Sequence, residues 1–343
     1  MPRLCYISRN YRSVNSSGNK AKTDNEQTLQ ALGAMNLGLH TTYYNNKILT
    51  FLLDLCGVVK MVFCVKRGDS ILLQYPIKKY FAFICRVARM RGAKTMALIH
   101  DLGSMRRKKL TIEKEIRRLM HADRVIASNE TMKCWLRDHG FTKPLGALGL
   151  FDYRSKAERT TWPNRHERPI LVYASALAMR KNSFLLSMAP IITNYDLHIY
   201  GNHGGLPDLV DTEHLKVYSF MVAEDFIDRV EGDFGLVWDG DSLDTCSGDF
   251  GEYLRLNSPH KVSFCLRAGL PVIIWRKAAV APLIEKLGIG LCIDSLRELN
   301  DILPQITSEQ METMRHNVQR VSDKLKDGQF LKQAMHSIDQ SVV

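Results

Sequence analysis

The chain has no run of apolar residues approaching the ~18–20 that would span a bilayer, so no membrane-crossing helix is expected. Its opening residues, Met-Pro-Arg-Leu-Cys-Tyr-Ile-Ser-Arg-Asn, lack the apolar core of a signal peptide and read as a first strand, which points to a cytoplasmic protein. It has no Cys-x-x-Cys and no Cys/His spacing suited to zinc. The eight cysteines (5, 56, 64, 85, 134, 246, 265 and 292) are scattered; most sit in apolar runs and read as reduced core residues, and structural disulfides are not expected. A full Gly-x-Gly-x-x-Gly is missing, which removes the usual argument for a dinucleotide. Low-complexity tracts are missing as well, and there are no repeats beyond a resemblance between the two halves.

What is present is an ordinary globular composition, 343 residues with 45% apolar and 24% charged. That length exceeds one typical core and divides into two domains of about 150 residues each. The charge is uneven. Between residues 60 and 124 there are 17 Lys and Arg against 5 Asp and Glu, a balance of +12, while the whole chain carries +11. Such a patch attracts nucleic acid, an anionic membrane surface or a phosphorylated substrate. For any single Lys or Arg, the solvated face of a helix is the plainer reading. No helix-turn-helix, zinc or base-stacking signature accompanies the charge, so nucleic acid is not expected as a partner.

The first half alternates strand-like and helix-like runs. Residues 4–8 read as a strand, 24–37 as a helix, 39–44 as a second strand and the stretch from Ile48 as an apolar helix. Strands at 70–74, 94–99 and 124–128 then alternate with helices at 77–90, 112–121 and 130–139. Irregular polar sequence over 152–168 forms a linker, and strand-like runs resume at 169–174, 197–200, 215–220, 234–238, 271–275 and 291–293. The tail, 308–343, reads as helical and polar enough for the surface. The expected fold is therefore α/β: two Rossmann-like domains, residues 1–155 and 156–343, with parallel sheets facing a cleft.

Five stretches carry candidate chemistry. The apolar run 234–238 breaks off into a polar, glycine-spaced loop, as a buried parallel strand does at a functional loop. Asn257-Ser258-Pro259 reads as a helix start, with His260 and Lys261 in the first turn beside free N–H groups, a place for a phosphate. An ordinary strand–loop–helix with a solvated lysine fits the same residues. His100-Asp101 closes the strand 94–99 and offers a proton acceptor, or only a hydrogen-bonded turn. The stretch 172–184 runs from a strand into a helix, and its Arg180 or Lys181 is suited to a diphosphate, Arg180 by its two-pronged donor geometry. Gly18, before the first helix, permits a tight turn. Asp239-Gly-Asp241 has the form of a metal-binding Asp-x-Asp but stands beside Lys261 rather than further carboxylates. It reads as contacts to hydroxyls or as turn caps, and no metal is expected.

Trp238-Asp-Gly-Asp-Ser-x-x-Thr-Cys-Ser-Gly-x-Phe-Gly-x-Tyr, followed by Asn257-x-Pro-His-Lys261, resembles bacterial β-1,6-galactofuranosyltransferases of O-antigen assembly and the related streptococcal adhesin glucosyltransferases. The likeness runs from Gly18 to the C-terminus. It includes Gly-x-Lys-Ala-x-x-Asp (Gly18, Lys20, Ala21, Asp24), which in that family contributes to the sugar side of the cleft, and Ile-His-Asp at residues 99–101. Residues 172–184 resemble the donor loops of GT-B enzymes, with Ala-Ser where the family often has glycine.

The resemblance implies a GT-B hexosyltransferase that uses a UDP-sugar as donor substrate and needs no cofactor. The donor set would be Gly18, Lys20, Arg180, Tyr200, Asp239, Asp241, Ser242, Asn257, His260 and Lys261. Asp101 would be the base, with His100 orienting it. The favoured reaction is inverting transfer of galactofuranose from UDP-galactofuranose to a lipid-linked glycan of O-antigen or capsule assembly, the enzyme lying peripherally on anionic lipid at the inner face of the plasma membrane through residues 78–109. Transfer of glucose from UDP-glucose to a GlcNAc-modified glycoprotein is the alternative, and the rivals from other classes are a basic nucleic-acid-binding protein and a catalytically silent transferase partner. A homo-oligomer is compatible with the sequence.

Overall fold

The computed structural model describes residues 3–12, 17–77, 79–106, 108, 110–159 and 166–339. Lys78, Lys109 and linker residues 160–165, all included in the sequence reading, lie outside the described residues.

The chain divides into two compact units, Met1–Asp152 with Asp327–Val343, and Tyr153–Lys326. Each is built on a six-stranded sheet. The first contains β1 (Leu4–Tyr6), β2 (Met35–Asn36), β3 (Ser70–Tyr75), β4 (Lys94–Ile99), β5 (Arg124–Ala127) and β6 (Leu145–Ala147), in the order β2-β1-β3-β4-β5-β6. The second contains β7 (Ile170–Ala174), β8 (Asp196–Tyr200), β9 (Leu215–Tyr218), β10 (Phe234–Val237), β11 (Val272–Trp275) and β12 (Gly290–Ile293), in the order β12-β11-β10-β7-β8-β9. Every pairing is parallel. Central strands covered on both faces are largely apolar, and β3, β10 and β11 are buried along their whole lengths. The order of connection reverses between β1 and β3 in the first sheet and between β7 and β10 in the second. In a doubly wound sheet the crevice outside the carboxyl ends of such strands is where ligands bind.

The structure departs from the sequence reading at several places. The first helix is Ser17–Ala31 rather than 24–37, and it already contains Gly18. A Cβ on Gly18 would meet nothing within 4 Å, so no tight turn there requires glycine. The run 39–44 is not a strand. Its β-branched and aromatic composition imitates one, but it makes only a single bridge, Asn10 with Thr42, while its threonines bond side chains: Thr41 to Glu26 and Thr42 to Asn10. The second strand is instead the two-residue β2. The helix after Pro259 begins at His260, with Pro259 in the cap position and no side chain capping it.

The tail also divides. Ser308–Lys326 buries Met311, Met314, Val318, Val321 and Leu325 in the second unit. Gln329–Ile338 belongs to the first, where Leu331, Ala334 and Met335 join Tyr6, Leu72, Met96, Leu98 and Ile126 in one core. The sequence reading had kept the whole tail with the second domain. An apolar face of this kind can be buried only where a complementary core exists, and that core is the first sheet's. The boundary falls at Asp152 for a related reason: Arg267, only 3% exposed, donates to Ser155 Oγ and Ala157 O and fastens the start of the linker to the second unit.

Asp152 itself accepts from Phe330 N at 3.1 Å and Leu331 N at 2.8 Å, capping the returning helix. Burial raises its carboxyl to about 7 against the pull of those two N–H groups. Replacing Asp152 by Ala removes both bonds and should cost about 1–2 kcal/mol. Amide hydrogen exchange should then accelerate selectively in Gln329–Ile338; protection equal to wild type would show that the cap does not hold this helix.

Candidate functional site

In the second unit the loops leaving β7 and β10 meet at the switch point. Lys261, in the first turn of the helix His260–Arg267, lies beneath them. Its Nζ donates to Asp239 Oδ1 at 2.8 Å and to the Tyr173 hydroxyl at 2.9 Å. Tyr173, on β7, is fully buried; its hydroxyl also receives the Asn182 amide at 2.5 Å and donates to Trp238 O at 3.1 Å. One donor and two acceptors is all a phenol has, so the hydroxyl is saturated. Burial pushes it up to about 12. Burial alone would lower the Lys261 ammonium; the Asp239 carboxylate and the Tyr173 phenol more than offset that and hold it above its ordinary value. Lys181 Nζ approaches the same Asp239 oxygen at 3.8 Å.

The backbone closes the same seam. Gly240 N donates to Lys181 O at 2.7 Å, and Phe184 N donates to Gly240 O at 3.3 Å. Gly240 has φ +129°, and a Cβ there would lie 2.6 Å from Ser247 N; one on Gly251 would lie 2.6 Å from Asp239 O. Only glycine fits at either point. Trp238, buried against Trp275, donates its indole N–H to Ser242 O at 3.0 Å and fixes the next turn.

Arg180, Asp239, Asp241, Ser242, Asn257, His260 and Lys261 thus all belong to the elements that form this switch point, in different states. Asp239 is buried and paired, whereas Asp241 is exposed and bonded to Ser247 through its carboxylate and its backbone N–H. Ser242 accepts from Asp244 N at 3.1 Å. Arg180 is exposed, its guanidinium 5.2 Å from the centre of the Phe250 ring. His260 stacks on Tyr153 with ring centres 4.9 Å apart. Asn257 Oδ1 is buried without a hydrogen-bond partner among the described residues. Tyr200 ends β8 but is 8% exposed, packed between Tyr218 and Phe226, and serves the core. Among the described residues no group of three or more His, Cys, Asp and Glu is placed to hold a metal ion.

Gly18, Lys20, His100 and Asp101 lie in the first unit. Lys20 pairs with the fully buried Asp24 at 2.5 Å. His100 follows β4 and stacks on Phe151, ring centres 4.9 Å apart, with Nε2 3.0 Å from Gln74 Oε1. Gln74 is 7% exposed; its amide nitrogen donates to Lys22 O at 3.0 Å, and its oxygen accepts from Asn25 at 3.1 Å. That network assigns the proton to His100 Nε2. Asp101 is ion-paired with Arg106.

Sequence reasoning missed the residues that fix these loops. Glu115, fully buried, accepts from Gly103 N at 2.9 Å, Ser104 N at 2.7 Å and the Tyr75 hydroxyl at 2.8 Å, anchoring the turn after Asp101. Glu26, 2% exposed, accepts from Ser8 at 2.8 Å, Thr41 at 3.1 Å and Tyr11 beyond the end of β1, and burial raises its carboxyl above the ordinary value. Tyr173 and Asn182 were likewise read as parts of a strand and a helix. No short-range pattern marks any of them.

The family described as Glucosyltransferase 3-like matches this chain twice, its N-terminal domain at residues 4–150 and its C-terminal domain at 171–338. The β-1,6-galactofuranosyltransferase WbbI of Escherichia coli (strain K12) is 28% identical over 300 residues, 85% of this chain and 82% of that protein. Glucosyltransferase 3 of Streptococcus gordonii is 36% identical over 105 residues, 31% of this chain and 30% of that protein. Among solved structures, Anabaena HepE in complex with UDP has a similar fold, with TM-score 0.62 and 12% identity, covering 99% of this chain and 100% of that one.

Removing the Lys261 cation strands a buried carboxylate and breaks the bond to Tyr173. Lys261→Met should therefore lower stability by about 3–5 kcal/mol. Adding Asp239→Asn should restore part of that loss, because no unpaired charge then remains. Urea unfolding of the single and double variants measures both; strictly additive losses would mean that the two side chains do not form a stabilising pair.

Proposed function

The chain belongs to the glucosyltransferase 3-like family of GT-B glycosyltransferases, and from that membership we propose that it transfers galactofuranose from UDP-galactofuranose, with inversion, to a hydroxyl of a lipid-linked glycan in O-antigen or capsule assembly. The observation that carries the choice of sugar is the 28% identity, sustained over 300 residues, to a galactofuranosyltransferase. The donor lies at the β7/β10 switch point. An ammonium has three N–H donors, and Lys261 spends two on Asp239 and Tyr173, so the third serves a diphosphate oxygen. Arg180, exposed and lying over the Phe250 ring, supplies a second cation, and the N-terminus of the helix His260–Arg267 adds its dipole. Preorganised positive charge at a leaving diphosphate does the work of a divalent ion, and no metal is needed. Asp239 and Asp241 are already committed to Lys261 and Ser247, which supports that reading.

In the transfer step the acceptor oxygen forms its bond to the anomeric carbon as the bond to the diphosphate breaks. UDP carries away the electron pair, and the hydroxyl proton passes to Asp101, with His100 beside it. A second reading assigns the base to His100, whose Nε2 lies 3.0 Å from Gln74 Oε1. The enzyme works peripherally at the inner face of the plasma membrane, drawn by the +12 segment between residues 60 and 124.

Titration with UDP in excess EDTA should show binding. In Arg180→Ala it should weaken roughly tenfold with the unfolding midpoint unchanged, the loss of about one charge-assisted hydrogen bond. Binding that vanishes with EDTA and returns with Mn²⁺ would overturn the metal-free reading. In a transfer assay with a panel of UDP-sugars, UDP-galactofuranose should be the preferred donor, and turnover of UDP-glucose on a GlcNAc-bearing acceptor alone would select the alternative. Asp101→Asn should slow transfer by about 10²–10⁴ with UDP affinity nearly unchanged. A wild-type rate in Asp101→Asn together with a loss of that size in His100→Ala would move the base to His100.

A further inference from the structure

The helix Lys47–Cys64 presents an apolar stripe to solvent. It turns Thr50, Gly57, Val58 and Met61 towards the protein. On its outer side Ile48 is 72% exposed, Leu52 49%, Leu55 37%, Val59 47% and Phe63 78%. Their spacing, i, i+4, i+7, i+11 and i+15, places them on one line along the helix, about 22 Å long at ~1.5 Å per residue. The neighbouring helix Phe81–Met90 extends the patch with Phe83, 49% exposed, and Met90, 79% exposed. Nor is this a fraying segment. Asn46 caps its first turn through Ile48 N and Leu49 N, Thr50 bonds Asn10, and Lys60 Nζ donates to Gly38 O at 2.8 Å. A contiguous apolar patch on a firmly held helix marks an interaction surface.

Its surroundings decide what covers it. Exposed Lys47, Lys60, Lys66, Arg67, Lys79 and Arg86 flank the two helices, and Lys79 lies 4.5 Å from the centre of the Phe51 ring. Asp54 is the one acidic residue of Lys47–Cys64, and it pairs with Arg9 at 3.6 Å. A second copy docked on this stripe would bring the same basic segment against itself. An anionic lipid surface satisfies both features, taking the apolar stripe into its headgroup–acyl boundary and the cations at its phosphates.

We propose that Lys47–Cys64 is a monolayer-inserting helix that lies in the plane of an anionic membrane. The proposal deepens the peripheral-membrane part of the function given above, which by itself asks only for electrostatic attraction. Insertion predicts an attachment with two components, one screened by salt over ~8–10 Å and one that salt does not remove.

Cys56 is exposed on this helix, and the other thiols that a reagent can reach are Cys64 and Cys134. The test is a Cys64→Ser/Cys134→Ser chain labelled at Cys56 with an environment-sensitive fluorophore and mixed with vesicles of phosphatidylglycerol in phosphatidylcholine. The expected result is a blue shift, quenched by lipids brominated on the acyl chain. Leu52→Gln/Leu55→Gln/Phe63→Gln should reduce partitioning roughly tenfold or more, since three apolar side chains lose their burial, while UDP affinity is unchanged. Vesicle binding with the fluorophore still in water would overturn insertion and leave electrostatic attachment standing. No sedimentation with vesicles at low salt would remove both. A shift that needs no lipid, grows with protein concentration and accompanies a doubled mass would give the surface to a second copy.

Discussion

The contact on which the second unit's site depends is the buried pair of Lys261 and Asp239 under the Tyr173 hydroxyl. Strand β10 ends one residue before Trp238, and the chain must then turn away while its neighbour β7 does the same in the opposite direction. Two diverging loops have no reason to stay together unless something spans them. Lys261 reaches both, and the Gly240 and Lys181 backbones are joined directly. The cost is a charge pair taken largely out of water, which is recovered only because each partner is hydrogen-bonded as well. The result is a rigid seam with a cation at its floor and an exposed arginine at its rim.

The first unit solves the same problem with buried acids. Glu26 gathers Ser8, Tyr11 and Thr41 beyond the end of β1, and Glu115 gathers Gly103, Ser104 and Tyr75 beyond the end of β4. Between them Gln74 holds His100 in one tautomer. In both units the loops at the carboxyl ends of the strands are fixed by polar groups with little access to water, where an unmade bond is expensive. That is how loops come to have the positional precision of strands.

Much of this fold was legible because a strand buried on both faces is a largely apolar run. β3, β4, β7, β10 and β11 announce themselves in that way. The two-residue β2 and the three-residue β6 do not, since so short an element carries no periodicity. The apolar face of Gln329–Ile338 could be read, but not which core receives it, because that is settled by packing across more than 180 residues of intervening chain. Site legibility follows the same division. His260 and Lys261 were named from the helix start, and Asp239 from the end of a strand. Tyr173 stands 88 residues before Lys261 and looks like any strand tyrosine. Gly18 was singled out for a turn, yet it lies within a helix, where no neighbouring atom forbids a side chain.

The central claim is that the β7/β10 seam is the donor nucleotide site and that Lys261 serves it while still holding Asp239. A crystal structure of the chain soaked with UDP and EDTA tests this most directly. The account predicts a diphosphate oxygen within ~2.7–3.2 Å of Lys261 Nζ, with the Lys261–Asp239 bond intact and Arg180 turned from Phe250 onto the phosphates. UDP seated away from residues 173–182 and 239–261, or bound only after Lys261 releases Asp239, would contradict it.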